Sequence, residues 1–393
     1  MNATTAHRIV ILGAGYTGML TAVRLARRTR NQDVHITLVN PSNRFTERLR
    51  MHQVAAGQEL GHFDIPATMA GAGVEFHCAA ATAIDPENRT VTLGDGDILT
   101  YDTLVYALGS ATDTGRVAGA TQHAWTLNDP RAAHRFSQRL TEIATAGGTV
   151  TVVGGGLTGI EAATEVAESH PGLNVTLISA QEPGWMMGDK ARAHLNKAFD
   201  RLGITRKIGV KVAKVLPDAV RLGTGELVPA DLTLWTTGVK VPQLAAESGI
   251  EVDARGMIVT DPTLRSVSHP EILAVGDAAV IRQPWGELHG TCQSGMASAG
   301  YAADTLARQL RGKTFGPFRF GYIHQPVSLG RKDAVIQFTN ADDTPRRWYL
   351  KGRAAVFYKE SVSASPWPSF KMHRHMAPPV KFSNGGRATR ATA

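Results

Sequence analysis

The feature that most restricts this chain is a motif that occurs twice. RIVILGAGYTGMLTAVRLARR begins at Arg8 and TVTVVGGGLTGIEAATEVAESH at Thr149. In both, a short β-branched apolar run, as a buried parallel strand requires, leads into G-x-G-x-x-G, and a helical pattern comes after it. A second strand closes each unit: VHITLVN ends at Asn40 and NVTLIS at Ser179. One such fingerprint is weak. Two, each between a strand and a helix, predict two related nucleotide-binding domains. Gly13 allows the tight turn, Gly15 lets backbone approach a pyrophosphate, and Gly18 lets the helix pack closely on the sheet. Gly154, Gly156 and Gly159 repeat those roles. Ala14, Tyr16 and Thr17, and in the second copy Leu157 and Thr158, share the same turns. They are expected to contact cofactor, because a helix N-terminus offers unpaired N–H groups and a favourable dipole to phosphate.

Between the units, VEFHCAAATAIDPENRTVTLGDGDILTYDTLVYALGS has short runs with Glu-Asn and Asp-Gly turns. It predicts a β-meander that ends in a buried strand, Thr103 to Ala107. A similar stretch lies beyond the second unit and ends in ADLTLWTTG. ILAVGDAAV comes next, then a long helical pattern, SGMASAGYAADTLARQLRG. From Phe320 to Glu360, AVIQFTN, RRWYL and AAVFYKESV predict strands of a small β-rich domain.

The two glycine motifs, ALGS at Ala107–Ser110, TTG at Thr236–Gly238 and AVGDAA at Ala274–Ala279 together resemble the two-dinucleotide-binding-domain flavoproteins. That is the pyridine nucleotide-disulfide oxidoreductase superfamily. The likeness covers about residues 8 to 312. Within it, GGGLTGIEAATEVAE and CQSGMASAG look most like the type II NADH dehydrogenases and their soluble relatives. The resemblance implies an α/β fold of two Rossmann-like domains plus a small C-terminal β-rich (α+β) domain. FAD binding is then expected over 1–118 and 252–318, and NAD(P) binding over 119–251. The C-terminal domain would span 319–370, and 371–393 would be a disordered basic tail. The implied cofactors are FAD and NADH or NADPH, with no metal.

The resemblance also assigns residues. Ala107, Gly109 and Gly276 would line the FAD, and Asp277 would bond its ribityl chain. Ala81 falls on the strand whose backbone meets adenine in relatives. Thr237 and Gly238 would line the nicotinamide nucleotide, and Glu161 would lie close to its ring. Read alone, Asp277 is also a helix N-cap and Glu161 a first-turn helix acid stabilised by the dipole.

Three departures sharpen the picture. An acidic residue normally takes the ribose hydroxyls at the end of the second strand. Here Asn40 stands in the first unit and Ser179 in the second. No arginine for a 2′-phosphate comes after Ser179, only Gln181 and Glu182, and the missing basic cluster favours NADH over NADPH. Third, disulfide-reducing members carry C-x-x-x-x-C on the helix after the first unit. FTERLRMHQVAAGQ, Phe45 to Gln58, occupies that place and has no cysteine. Electrons must therefore pass from flavin directly to an acceptor. Arg48, Arg50 and His52 are candidates for the wall facing that acceptor, with Arg48 also near the cofactor. Solvated charges are the competing reading for the arginines, and an ordinary structural histidine for His52, whose normal pKa suits a proton donor.

Composition narrows the partners. The net charge is +8, but five basic residues and no acidic ones lie from Lys371 onward. Removing them leaves the body close to +3, which argues against a nucleic-acid face. The two cysteines, Cys78 and Cys292, form no disulfide framework and are expected to be buried, inert thiols. No apolar run spans a bilayer and no signal peptide precedes Arg8, so a cytoplasmic location is expected. Type II NADH dehydrogenases use a quinone and dock on membranes through amphipathic C-terminal helices. Pro366, Pro368, Pro378 and Pro379 are expected to break such a helix here, which leaves at most peripheral membrane contact. Of the quinone-site pattern Gln293 is kept, but Ala297 replaces a polar residue. The main expectation is thus a soluble FAD-dependent NAD(P)H oxidoreductase with a small organic acceptor. The alternatives are an NADH:quinone oxidoreductase, and a redox-responsive binding protein controlled by its nucleotides. A homodimer is compatible with any of these.

Overall fold

The computed structural model of the chain describes residues 6–376 and residue 378. The repeat seen in sequence is a repeat in topology. One five-stranded sheet runs in the spatial order Ile272–Ala274, Thr103–Tyr106, His7–Leu12, Val34–Val39, Glu75–His77, all parallel. The other runs Ala124–Trp125, Leu232–Trp235, Thr149–Val153, Asn174–Ser179, Thr205–Ile208, again all parallel. In each, the strand before the glycine turn sits at the centre. Helices cover such sheets, so the central strands are buried throughout. Ile9 to Leu12 and Val150 to Val153 are buried accordingly.

Each sheet carries an antiparallel three-stranded meander. In the first half it is Ala81–Asp85, Thr90–Leu93 and Ile98–Thr100. In the second it is Val212–Val215, Ala219–Leu222 and Leu227–Pro229. The fifth strand of the first sheet comes from beyond the second unit, so the second unit is an insertion in the first. The long helix Cys292–Gln309 starts in a capping box: Thr291 Oγ1 accepts the Ser294 N–H at 3.1 Å, and Ser294 Oγ accepts the Thr291 N–H at 3.1 Å. Its small residues let it lie against the helix Tyr16–Thr29. Arg24 on that helix is fully buried and is held by both oxygens of Asp304, at 2.8 and 2.7 Å.

The C-terminal part corrects the sequence reading. The strands Ala334–Thr339 and Pro345–Lys351 form as expected, and His324–Ser328 completes an antiparallel sheet. AAVFYKESV is not a strand but lies in the helix Gly352–Ala364. Its buried residues are Ala355, Lys359 and Ser363, four apart, while Phe357 is 77% exposed. Pro366 and Pro368 do not prevent the next element from forming. Pro366 opens the helix Pro366–His375 and Pro368 lies in its first turn, where the missing N–H has no helical partner to lose. The expected disordered tail begins inside this helix, since Lys371 to His375 are its last residues. Positions 377 and 379–393 lie outside the described residues. Cys78, just past the strand Glu75–His77, is exposed and not the buried thiol expected, whereas Cys292 is half-buried against the core of the first half.

Candidate functional site

The two glycine turns have the same physical design. Gly13 has φ +96° and Gly154 φ +127°, a region that favours glycine. A Cβ on Gly13 would lie 2.6 Å from the Ala107 carbonyl oxygen, and one on Gly154 2.6 Å from Thr236 Oγ1. A Cβ on Gly18 or Gly159 would collide with the carbonyl oxygen of the first glycine in its own turn. Only the middle glycines differ: around Gly15 and Gly156 a Cβ would meet nothing within 4 Å. So the first and third glycines serve packing, and the second presents bare backbone outward. No side chain caps either helix, Tyr16–Thr29 or Leu157–Ser169. Their first-turn N–H groups and dipoles are directed to the same side as that bare backbone.

Around the first turn the structure gathers several of the expected residues. Asn40 does not point away from the loop: its Oδ1 accepts the Ala14 N–H at 3.0 Å and its Nδ2 donates to the Ser42 carbonyl at 2.7 Å. The Thr17 methyl lies beneath Gly276, whose φ is +71°. Asp277 accepts from Ser110 Oγ at 2.7 Å, and Arg48, which is exposed, donates to the Ser110 carbonyl. Gly109, also at positive φ, has open space about its Cα. Cys292 opens the long helix nearby. Burial, helped by the Asp277 carboxylate, pushes its thiol up to about 12, so it is not a thiolate. Ala81 stands at the start of its meander strand, half-buried.

Around the second turn, Ser179 is buried at its strand end, and a Cβ on Gly155 would run into its hydroxyl. A cleft of about 400 Å³ opens beside Ser179, Gly156 and Thr237. Gly238 has φ +81°, and its carbonyl accepts the Asp113 N–H at 3.3 Å.

The segment FTERLRMHQVAAGQ joins the two halves. It is a 3-10 turn, Arg48–Arg50, continued by a short α-helix, Met51–Ala55. Phe45 meets Tyr16 edge-on at 5.2 Å, and the Leu49 N–H donates to Tyr16 Oη at 3.4 Å. Arg50 does not face solvent alone: it pairs with Glu360 at 3.2 Å. His52 is 2% exposed, 3.8 Å from the Glu161 carboxylate and 3.3 Å from Ser328 Oγ. Burial lowers its pKa to about 4, so the ring is neutral near pH 7 and carries a single N–H.

Glu161 is the centre of this buried cluster. Lys359 Nζ lies 2.8 Å from it, and the Ser328 N–H donates to it at 3.1 Å. Burial acts to raise the carboxyl, but the Lys359 ammonium and these hydrogen bonds outweigh it and hold the group below its usual value. One turn on, Glu165 has no such partner within 3 Å that carries charge. Arg331 Nε stands 3.7 Å away, Gln58 donates to Oε1, and Oε2 has no hydrogen-bond partner among the described residues. Burial pushes Glu165 up to about 7. Arg331 also pairs with Glu360, which ties this carboxyl to Arg50. Gln293 lies apart from the cluster. It clips the long helix to the C-terminal sheet, donating to the His324 carbonyl at 2.7 Å and accepting the Ile323 N–H at 3.2 Å. Both ends of its amide are therefore engaged.

Sequence reasoning missed Lys359, Ser328, Glu165 and Arg331. Glu165 carried a signal, since it sits four residues after Glu161 and so on the same helix face, among Ala162, Ala163 and Val166.

Known proteins are similar over nearly the full length. An NADH dehydrogenase-like protein of Mycobacterium tuberculosis is 28% identical over 400 residues, 97% of this chain and 96% of its own. The demethylphylloquinone reductase of Synechocystis is 27% identical over 383 residues, 93% of each chain. The structure of the sulfide:quinone oxidoreductase of Aquifex aeolicus superposes with a TM-score of 0.81 at 20% identity, over 94% of this chain and 92% of that one. No helix among the described residues is long and apolar enough to cross a membrane. The sequence profile of the pyridine nucleotide-disulphide oxidoreductases matches residues 7–304, and the chain belongs to that family, as a flavin-dependent oxidoreductase that uses NAD(P)H.

Proposed function

We propose that the protein is an NAD(P)H:quinone-type oxidoreductase, with FAD on the first glycine turn and the nicotinamide nucleotide on the second. The observation that carries this reading is the pair of outward-facing middle glycines combined with a cysteine-free segment between them. The turns fit the cofactors physically. Side chains at Gly13 and Gly18 would wreck the turn, whereas Gly15 and Gly109 leave their backbone accessible to a pyrophosphate. Asp277, with Ser110 on one oxygen, keeps acceptor capacity for a hydroxyl-rich chain. FAD, when bound, supplies the two-electron chemistry that takes hydride from NAD(P)H and passes electrons on.

The protein's own residues orient the two rings and set the charge around them. Phe45 to Gln58 stands where disulfide-reducing members of the family keep their cysteines, and Cys292 is held as a thiol with no second cysteine beside it. Electrons therefore leave by direct contact with the acceptor. A quinone is favoured over the small organic acceptor expected from sequence, because relatives matched over nearly their whole length are named for quinone substrates. Glu161, fixed by Lys359 and Ser328, lies at the junction of the second turn's helix with the C-terminal sheet, and is assigned to hold charge beside the nicotinamide end.

The test is anaerobic stopped-flow reduction of the purified protein by NADH and by NADPH, then mixing with menadione, with a short-chain ubiquinone and with oxidised glutathione. Fast reoxidation by the quinones and none by the disulfide is expected. A colourless protein that cannot take up FAD, or a reduced one that ignores both quinones, defeats the proposal.

A further inference from the structure

The cleft beside the second glycine turn carries information on which nicotinamide nucleotide fits. We propose that it selects NADPH over NADH, with Lys211 as the residue that recognises the 2′-phosphate. This rests on the assignment of the second turn to the nicotinamide nucleotide.

The sequence leaned the other way, because no basic residue comes closely after Ser179. The fold supplies one from a distant stretch. The Val210 N–H donates to the Ser179 carbonyl at 3.3 Å, which stitches the loop after the strand Thr205–Ile208 to the end of Asn174–Ser179. Gly209, at φ +78°, turns the chain there. The Lys211 carbonyl then accepts the Gly223 N–H at 2.8 Å, so the backbone that bears the side chain is fixed from both sides. Lys211 lines the 400 Å³ cleft together with Ser179, Gln181, Trp185 and the glycine turn.

Charge in the cleft is one-sided. Lys211 is the sole charged residue among the described residues that line it. Glu182, the acid nearest to Ser179 in sequence, does not line it. Neighbouring cations are already paired, Lys207 with Glu226 at 2.7 Å and Arg206 with Asp200 at 2.6 Å. Lys211 has no carboxylate partner among the described residues. An acid at the strand end would accept hydrogen bonds from the ribose hydroxyls and repel a phosphate there. Ser179 does neither, since its hydroxyl is turned under Gly155. The combination of no carboxylate and one unpaired ammonium favours a dianionic phosphate over a hydroxyl. Trp185, 55% exposed on the cleft wall, offers an aromatic face to the adenine.

Isothermal titration of the FAD-loaded protein with 2′,5′-ADP and with 5′-AMP tests this without turnover. The native protein should bind 2′,5′-ADP at least tenfold more tightly. Lys211→Ala should remove that preference while changing 5′-AMP affinity by less than threefold, Lys211→Arg should keep it, and Lys207→Ala should leave it unchanged. Bound-flavin absorbance reports that each variant is folded. Equal affinity of the native protein for the two nucleotides, or an equal loss of both in Lys211→Ala, overturns the role of Lys211. Failure to bind either nucleotide, or NAD+ or NADP+, overturns instead the assignment of the second turn on which the proposal rests.

Discussion

The helices after the two glycine turns occupy the same place in the same fold, yet they bury opposite charge. Six residues after the third glycine, the first helix has Arg24 and the second has Glu165. Both are fully buried. Arg24 is held by both carboxylate oxygens of Asp304 and its pairing is complete in kind. Glu165 has a more distant arginine and an oxygen with no hydrogen-bond partner among the described residues. Equivalent positions thus differ in function more than in geometry. The first is a structural clasp, since a guanidinium stays charged at any working pH. The second is a group that titrates near neutrality. The second helix also carries Glu161, for which the first has the apolar Leu20 at the equivalent position. The two halves share their turns and differ in the charges behind them.

The comparison can be broken most severely at Lys359. If the second unit alone depends on an ion pair from the C-terminal helix, Lys359→Met strands a buried carboxylate and should cost about 3–5 kcal/mol in urea denaturation. The double variant Glu161→Gln with Lys359→Met should recover most of it. A single variant as stable as the native protein would show that Glu161 is not held as described.

The two third glycines test the symmetry of the turns. Gly18→Ala and Gly159→Ala should each destabilise by about 1–3 kcal/mol through overpacking. Their losses should differ in kind. Gly18→Ala should shed flavin, read as absorbance after desalting. Gly159→Ala should stay yellow and lose nicotinamide nucleotide binding. Flavin loss from both alike would erase the division between the halves.

The smallest effect concerns pH. Glu165 has a raised pKa in the folded state, so its neutral form adds stability that is present below its unfolded value and is lost as pH rises toward about 7. Glu165→Gln should therefore be stabilised relative to the native protein by about 1–2 kcal/mol at pH 8, a difference that shrinks by pH 5. Buried His52, His324 and His373, each lowered to about 4, work in the opposite sense. Their stability is present above their unfolded value and is lost as pH falls toward 4. Both proteins should accordingly lose Tm below pH 6.5, and a gap between them that is the same at pH 5 and pH 8 would exclude titration of Glu165 from the cause.

Much of the fold was legible because strand, turn and helix signals agreed locally. The glycine turns, both meanders and the long helix from Cys292 read directly from spacing. The helix Gly352–Ala364 did not, and the reason is physical. Its buried stripe is Ala355, Lys359 and Ser363, while Phe357 faces outward, so the hydrophobic pattern is inverted. Lys359 was hidden by the same inversion. Lys211 was hidden for a different reason: it reaches the cleft through strand pairing, about thirty residues beyond the position where the motif would place it. His52 was visible as a residue, but its burial, which decides its protonation, is a property of the packed halves.

The segment from Phe45 to Gln58 is anchored on both sides. Phe45 belongs to the apolar core of the first half, and Met51, Val54 and Ala55 to that of the second. The segment therefore rivets two sheets together across their seam. Swinging one half against the other would pull aromatic and aliphatic side chains out of one core or the other. Such a rivet makes the separation between the two glycine turns a built-in dimension of the molecule.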